Sequence, residues 1–573
     1  MPRNLTAFWS LILAALAAAL VACSPEPAPP AASPAPIYDL ILRGGTIYDG
    51  NGGPGFVGDV AIAGDTIAAL GDIAGATARR EIDVAGLAVA PGFINMLSWA
   101  TESLIYDGRS QSDIRQGVTL EVFGEGFSMG PLNDEMKAGL KGRQSDIQYD
   151  IEWTTLGEYL EYLVGRGVST NVASFLGAAT PRMYVIGYED RAPTPEEMER
   201  MQDIVRQAME EGAIGVASSL MYPPGLFADT EELVALSKAA AEYDGLYASH
   251  MRDEGAHMLE AIDELITISR EAGIRAEIYH LKSSGKDNWH LFDDALEMIE
   301  AARAEGLPIT ADVYTYPAGS TGLNVTIPPW VQEGGFEKSI ERMSDPETRK
   351  RIIEEMNTPS DDWENMFLIA GSPENILLVN FRNEELKHLT GRTLAEVAEM
   401  RGTPVEDTIM DLIIADGSRV GTVYFTQSDD VVRTAVSKPW VSFNSDAGSL
   451  APEGAFMKSN PHPRAYGSFA RVLGKYVREE QVITLEDAVR KLAALPADVL
   501  NIKRRGRLKP GHFADVVVFD PANVQDHATF VEPHQYATGM VHVFVNGEQV
   551  LENGEHTGAT PGRVVRGPGW TGH

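Results

Sequence analysis

Leu246-Tyr247-Ala248-Ser249-His250 and Ala276-Glu277-Ile278-Tyr279-His280 share one pattern, a short apolar run that ends on a histidine. Runs of this length suit buried strands, and the segments around them carry the apolar spacing of amphipathic helices. Those helical stretches are Thr194 to Glu211, Leu259 to Ala272 and Leu291 to Ala304. Strand and helix alternating from about 91 to 490 predict a (β/α)8 barrel, whose reactive side chains sit at the C-terminal ends of its strands. His250 and His280 occupy two such ends, one strand-helix unit apart, and are placed to share one metal ion. Either histidine alone reads more often as a packed core residue than as a ligand; the pair carries the argument. Asp446, within Val441-Ser442-Phe443-Asn444-Ser445-Asp446-Ala447-Gly448, ends a late strand, where a carboxylate binds metal or acts as a base.

Outward from the barrel, residues 38–46 and 58–70 alternate apolar and polar with glycine breaks, as short antiparallel strands do. The pattern returns in Asp515 to Phe519 and Met540 to Val545, where Asn546-Gly547 marks a hairpin turn. Strand-rich ends around one middle predict a small β-sandwich built from both termini, in two parts, 37–90 and 496–573, around a barrel at 91–495. Ahead of it, Arg3 and an apolar run from Leu11 to Ala22 have the order of an export signal over 1–22, too short to span a bilayer. Leu20-Val21-Ala22-Cys23 has the form of a bacterial lipobox, which predicts a lipid on Cys23 and membrane attachment. With Ser24 after the cysteine, the expectation is the outer membrane, facing the periplasm. Residues 23–36, rich in Pro and Ala, read as a tether.

Composition excludes other classes. Asp and Glu number 82 against 47 Lys and Arg, a net charge of −35 in 573 residues, so no basic face awaits nucleic acid. Cys23 is the only cysteine, which rules out an intrachain disulfide and a thiolate zinc site. Gly53-Pro54-Gly55-Phe56-Val57-Gly58 matches a dinucleotide glycine string, but it precedes a strand and reads as a turn. His257, His290 and His388 read as surface or packing residues.

Several spaced motifs resemble the N-acyl-D-amino-acid deacylases of the amidohydrolase superfamily, over roughly residues 37 to 570. They are Ser249-His250-Met251-Arg252-Asp253-Glu254-Gly255, Tyr279-His280-Leu281-Lys282, Asp312-Val313-Tyr314-Thr315-Tyr316-Pro317, His462-Pro463-Arg464-Ala465-Tyr466-Gly467 and Gly506-Arg507-Leu508-Lys509-Pro510-Gly511. The resemblance implies zinc on His250 and His280, with Asp446 as acid/base. It further implies a substrate-carboxylate clamp of Lys282, Tyr314 and Ser320, with Arg252 as an added candidate. The implied reaction is hydrolysis of the amide of a small N-acyl-D-amino acid.

Two departures stand out. The family's cysteine ligand aligns with Glu125, in Val122-Phe123-Gly124-Glu125-Gly126; two histidines and a glutamate are themselves a hydrolytic zinc set. Where the family carries His-x-His after its first strand, this chain has Leu97-Ser98-Trp99. Neither Leu97 nor Trp99 can ligate zinc, so one ion per chain is expected, with both side chains shaping an apolar pocket. The competing expectations are a cyclic-amide or lactone hydrolase on the same barrel, and an inactive barrel that binds acylated ligands.

Overall fold

The structure, a computed structural model, describes residues 37–572. The export signal and tether read over 1–36, Cys23 included, lie outside the described residues. Both ends of the described chain meet in one nine-stranded sheet, where Val516–Phe519 runs antiparallel to Ala88–Pro91 with Val517 opposite Ala90. Strand alternation decides what each face covers. Val516 and Val518 pack with Leu42, Ile62 and Phe544 in the core of the small domain. Val517 and Phe519, on the other face, join the core shared with the barrel. Asn546 and Gly547, at φ 50° and 82°, turn Met540–Val545 into Glu548–Glu552, as the hairpin reading required. The expectation of purely antiparallel strands needs correcting. Ile37–Ile47 is antiparallel to Phe56–Ala63 but parallel to Thr77–Asp83 and Ala88–Pro91. Alternation reports which face is buried and says nothing of a neighbour's direction.

The barrel's eight strands are Phe93–Asn95, Val118–Phe123, Asn171–Ser174, Gly215–Ser219, Leu246–His250, Arg275–Ile278, Ile309–Val313 and Val441–Phe443. Successive strands pair in parallel. The third is interrupted at Phe175 and meets the fourth through Leu176–Gly177. Closure runs from the eighth strand to the first: Met96 donates its N–H to Phe443 O at 3.4 Å, Asp446 to Leu97 O at 3.0 Å, and Trp99 to Ala447 O at 2.9 Å. The helices follow the sequence pattern. In Pro195–Glu210, Thr194 and Glu197 form a capping box, and Met201, Val205 and Met209 bury one face at a spacing of four.

Between the seventh and eighth strands the chain inserts a unit with its own three-stranded sheet, Gly319–Gly322, Gly421–Tyr424 and Ile376–Asn380. Its separate core includes Leu323, Ile352, Leu378 and Ile409. The sequence reading ran this stretch into the barrel because its strands and helices alternate with the same periods. Among the described residues no helix is long and apolar enough to cross a membrane.

Candidate metal centre and cleft

Leu246 and Ala248 alternate with His250 along the fifth strand and pack into the barrel's interior cluster, which aims the imidazole into the mouth. His280 stands two residues past the end of the sixth strand at φ 38°, a left-handed conformation that costs a non-glycine residue on the order of 1–3 kcal/mol. Asp312, at the end of the seventh strand, supports it: its Oδ1 accepts the His280 backbone N–H at 2.5 Å and Asn444 Nδ2 at 2.6 Å. Burial pushes the Asp312 carboxyl up to about 7. Glu125 reaches the same point from the second strand because Gly124 and Gly126 flank it. A Cβ at Gly124 would meet Phe175 O at 2.3 Å and one at Gly126 would meet Ser219 Cβ at 2.4 Å, so only glycines let the loop fold over the strand end.

The three side chains converge. Glu125 Oε1 lies 3.0 Å from His250 Nδ1 and 3.3 Å from His280 Nε2, and one ligand atom from each residue falls within 4.8 Å of the others. All three residues are buried. Ligands about 2.0–2.1 Å from a tetrahedral zinc stand about 3.3 Å apart, so two nitrogens and one oxygen at these separations fit that ion. Behind them lies Glu254, whose carboxylate meets Lys282 Nζ at 2.6 Å, His280 Nδ1 at 3.1 Å and His250 Nε2 at 3.8 Å. Carboxylates in this place orient ligand imidazoles. Burial pushes Glu254 up, but Lys282 and the two imidazoles outweigh it and keep the carboxylate ionised. Glu125 is likewise held below the usual carboxylate range, because hydrogen bonding to both imidazoles outweighs burial.

Asp446 faces this group from the end of the eighth strand, at φ 44°. Its Oδ2 is ion-paired with Arg464 Nη1 at 2.8 Å, and its Oδ1 accepts the Trp99 indole N–H at 3.2 Å. Burial raises its pKa, opposed chiefly by Arg464. Glu125, His250, His280, Lys282, Trp99 and Asp446 all line one cavity of about 800 Å³, as do Tyr314, Ser320 and Arg464. The inserted unit supplies part of its wall through Met366, Val379 and Tyr424.

Not every expected residue reaches the cleft. Arg252 is a correction: its guanidinium pairs with Glu264 at 2.9 and 3.0 Å, donates to the carbonyls of Leu226 and Ala228, and lines a separate cavity of about 770 Å³. With its donors so occupied it is a structural brace. Leu97 is a second correction, being fully buried in the barrel's interior cluster and absent from the cleft wall. The first strand ends at Asn95, so the rule that residues i and i+2 share a face no longer governs positions 97 and 99. Trp99 does line the cleft, but its indole N–H engages carboxylates instead of presenting only an apolar face. Lys282 lines the cleft with its ammonium committed to Glu254, His280 Nδ1 and His280 O. Ser320 Oγ donates to Thr422 O at 3.0 Å, and the Tyr314 hydroxyl accepts from Gln427 at 2.6 Å.

Sequence reasoning passed over two residues. Glu254 stands four positions after His250, within the same Ser249 to Gly255 motif. Arg464, third in His462-Pro463-Arg464-Ala465-Tyr466-Gly467, is buried with its guanidinium carbon 4.5 Å from the centre of the Tyr314 ring, and its Nε lacks a partner.

A profile of the Amidohydrolase family matches residues 178–551. The chain is 34% identical to a D-aminoacylase of Alcaligenes xylosoxydans xylosoxydans over 531 residues, covering 92% of this chain and 97% of that one. A solved N-acyl-D-glutamate deacylase from Bordetella bronchiseptica, complexed with zinc and a phosphonate mimic of the tetrahedral intermediate, superposes with a TM-score of 0.76. Its identity is 30%, covering 93% of this chain and all of that one. A solved D-aminoacylase, described as having a binuclear metal center with one-metal activation and second-metal attenuation, gives a TM-score of 0.76 at 33% identity, covering 92% and 100%. This chain belongs to the amidohydrolase family, and its fold is the family's barrel with a small β domain.

Proposed function

We propose that this amidohydrolase is a zinc-dependent deacylase of N-acyl-D-amino acids, splitting the amide into a carboxylate and a free amino acid. The observation that carries the reading is the convergence of Glu125, His250 and His280 at the barrel mouth, with Asp446 facing them. The relatives named above, a D-aminoacylase and an N-acyl-D-glutamate deacylase, supply the substrate class. Glu125, His250 and His280 would hold the ion, which when bound supplies Lewis acidity that acidifies water and polarises a carbonyl.

The chain's own groups do the rest. Asp446 is fixed on both oxygens and buried, so it is positioned to take a proton from water and return it to the departing amine. Arg464 lines the cleft with a buried guanidinium whose Nε makes no hydrogen bond, and with Tyr314 and Ser320 on the same wall it is the candidate for meeting a substrate carboxylate. Lys282 adds positive charge while holding Glu254 behind the imidazoles. Nothing in the cleft favours a ring substrate over a linear one. The deciding assay presents matched N-acetyl-D- and N-acetyl-L-amino acids beside a cyclic amide and a lactone. Turnover of the D-isomers, lost with chelator and restored by zinc, supports the reading; turnover confined to the rings, or none at all, overturns it.

Export and a lipid on Cys23, placing the enzyme at the outer membrane facing the periplasm, form part of the same proposal. They rest on the sequence of residues 1–24 alone. Mass spectrometry of the mature N-terminus is the check, and an unmodified Cys23 would refute the anchor.

A further inference from the structure

We propose that Trp99 is a positioning residue whose indole N–H ties Glu125 to Asp446 and thereby confines the site to one metal ion. The inference rests on the reading of Glu125, His250 and His280 as the zinc set. Trp99 Nε1 stands 3.0 Å from Glu125 Oε2 and 3.2 Å from Asp446 Oδ1, both ordinary N–H···O separations. Glu125 is thus divided: Oε1 faces the two imidazoles and Oε2 faces the indole. Two carboxylate oxygens converging on one point form a place where a second divalent cation could sit, at about 2.0–2.2 Å from each. The indole N–H is directed into that space, its nitrogen 3.0 and 3.2 Å from the two oxygens. The nitrogen's lone pair belongs to the ring π system, so it offers both carboxylates a hydrogen-bond donor yet cannot ligate.

The arrangement is built into the barrel's closing seam. Asp446 N–H donates to Leu97 O and Trp99 N–H donates to Ala447 O, so the backbones carrying the indole and the aspartate are laced together. With Oδ2 of Asp446 paired to Arg464, its carboxylate is held from two sides. Leu97, sunk in the interior cluster, offers nothing to a second ion.

The test counts zinc by atomic emission after equilibrium dialysis at one and at many equivalents, for the wild type, Trp99→Phe and Trp99→His. Thermal unfolding of each variant reports folding, and Trp99 is 41% exposed, so the ring is not a core element. The wild type should hold one zinc at every excess. Trp99→His should gain a second, because an imidazole lone pair then joins Glu125 Oε2 and Asp446 Oδ1. Trp99→Phe, which keeps the ring and loses the N–H, should retain the first zinc while kcat on an N-acetyl-D-amino acid falls roughly tenfold or more, with KM changed under about threefold. A second zinc in the wild type, a Trp99→His protein that stays at one, or an unaltered kcat in Trp99→Phe would each overturn the proposal. A wild type without zinc at any excess would instead bring down the metal reading beneath it.

Discussion

Glutamine in place of Glu254 keeps the side chain's shape and removes its charge, which separates two jobs that one carboxylate performs. The first is electrostatic. Lys282 is buried with Glu254 as its only carboxylate partner among the described residues, 2.6 Å away. Removing one member of such a pair leaves an uncompensated charge, at a cost of about 3–5 kcal/mol. The second is orientation: the carboxylate lies 3.1 Å from His280 Nδ1 and 3.8 Å from His250 Nε2, the nitrogens turned away from Glu125. Loss of a partner of this kind lowers metal affinity by roughly 10–100-fold, about 1.4–2.7 kcal/mol. Glu254→Gln should therefore lower the unfolding midpoint and weaken zinc binding together. Adding Lys282→Met removes the stranded ammonium, so the double variant should recover most of the stability and none of the zinc affinity. Chemical denaturation and competition with a zinc chelator read the two effects separately. A Glu254→Gln protein with unchanged stability and zinc affinity within about twofold of the wild type would refute the reasoning.

Three further outcomes follow from the geometry. Asp446→Asn should abolish measurable deacylation while a full zinc equivalent remains by metal analysis, because Asp446 stands outside the Glu125, His250 and His280 cluster. Arg252→Met should keep kcat and KM near wild type in the steady-state assay but lower the unfolding midpoint, since its guanidinium serves Glu264 and two backbone carbonyls away from the cleft. Lys491 gives a pH signature. Burial lowers its pKa from 10.5 to about 7, so between about 7 and 10.5 the unfolded chain binds a proton that the folded chain releases. Its contribution to stability therefore rises with pH across that window and is lost as pH falls through about 7. The total is on the order of a few kcal/mol, less what its bonds to the Val436 and Lys438 carbonyls return to the charged form. Denaturation midpoints from pH 7 to 10 should show this slope, and Lys491→Met should flatten it.

The barrel was legible because its signals are local. A run such as Leu246 to His250 is short and apolar, and the next helix carries a buried stripe, so period and length define the unit without any knowledge of its neighbours. The small domain was legible for the same reason, with its turn at Asn546 and Gly547. The inserted unit was not, since nothing local distinguishes Ile376–Asn380 from a barrel strand; what separates them is the partner, here an antiparallel one. The ligand residues divide in the same way. His250 and His280 end apolar runs and could be found from pattern, whereas Glu125 needed a resemblance to stand out from the other acidic residues of the chain.

Arginine shows where motif reading fails and why. Arg252 and Arg464 both lie in motifs that bear on the site, and both carry a guanidinium two residues from a histidine, His250 in one case and His462 in the other. The structure gives them opposite uses. Arg252 turns toward Glu264, a residue of the following helix, and toward carbonyls of the loop after the fourth strand, so its donors are spent before any substrate arrives. Arg464 turns inward, where its guanidinium meets the Asp446 carboxylate, the Ser320 carbonyl at 3.3 Å and the face of the Tyr314 ring. Its Nε is buried without a hydrogen-bond partner. Which cation waits for a ligand is thus decided by which carboxylates and carbonyls reach it first. That is a property of packing between segments far apart in the chain, so it is Arg464, and not Arg252, that ends up in the wall of the cleft holding Glu125, His250 and His280.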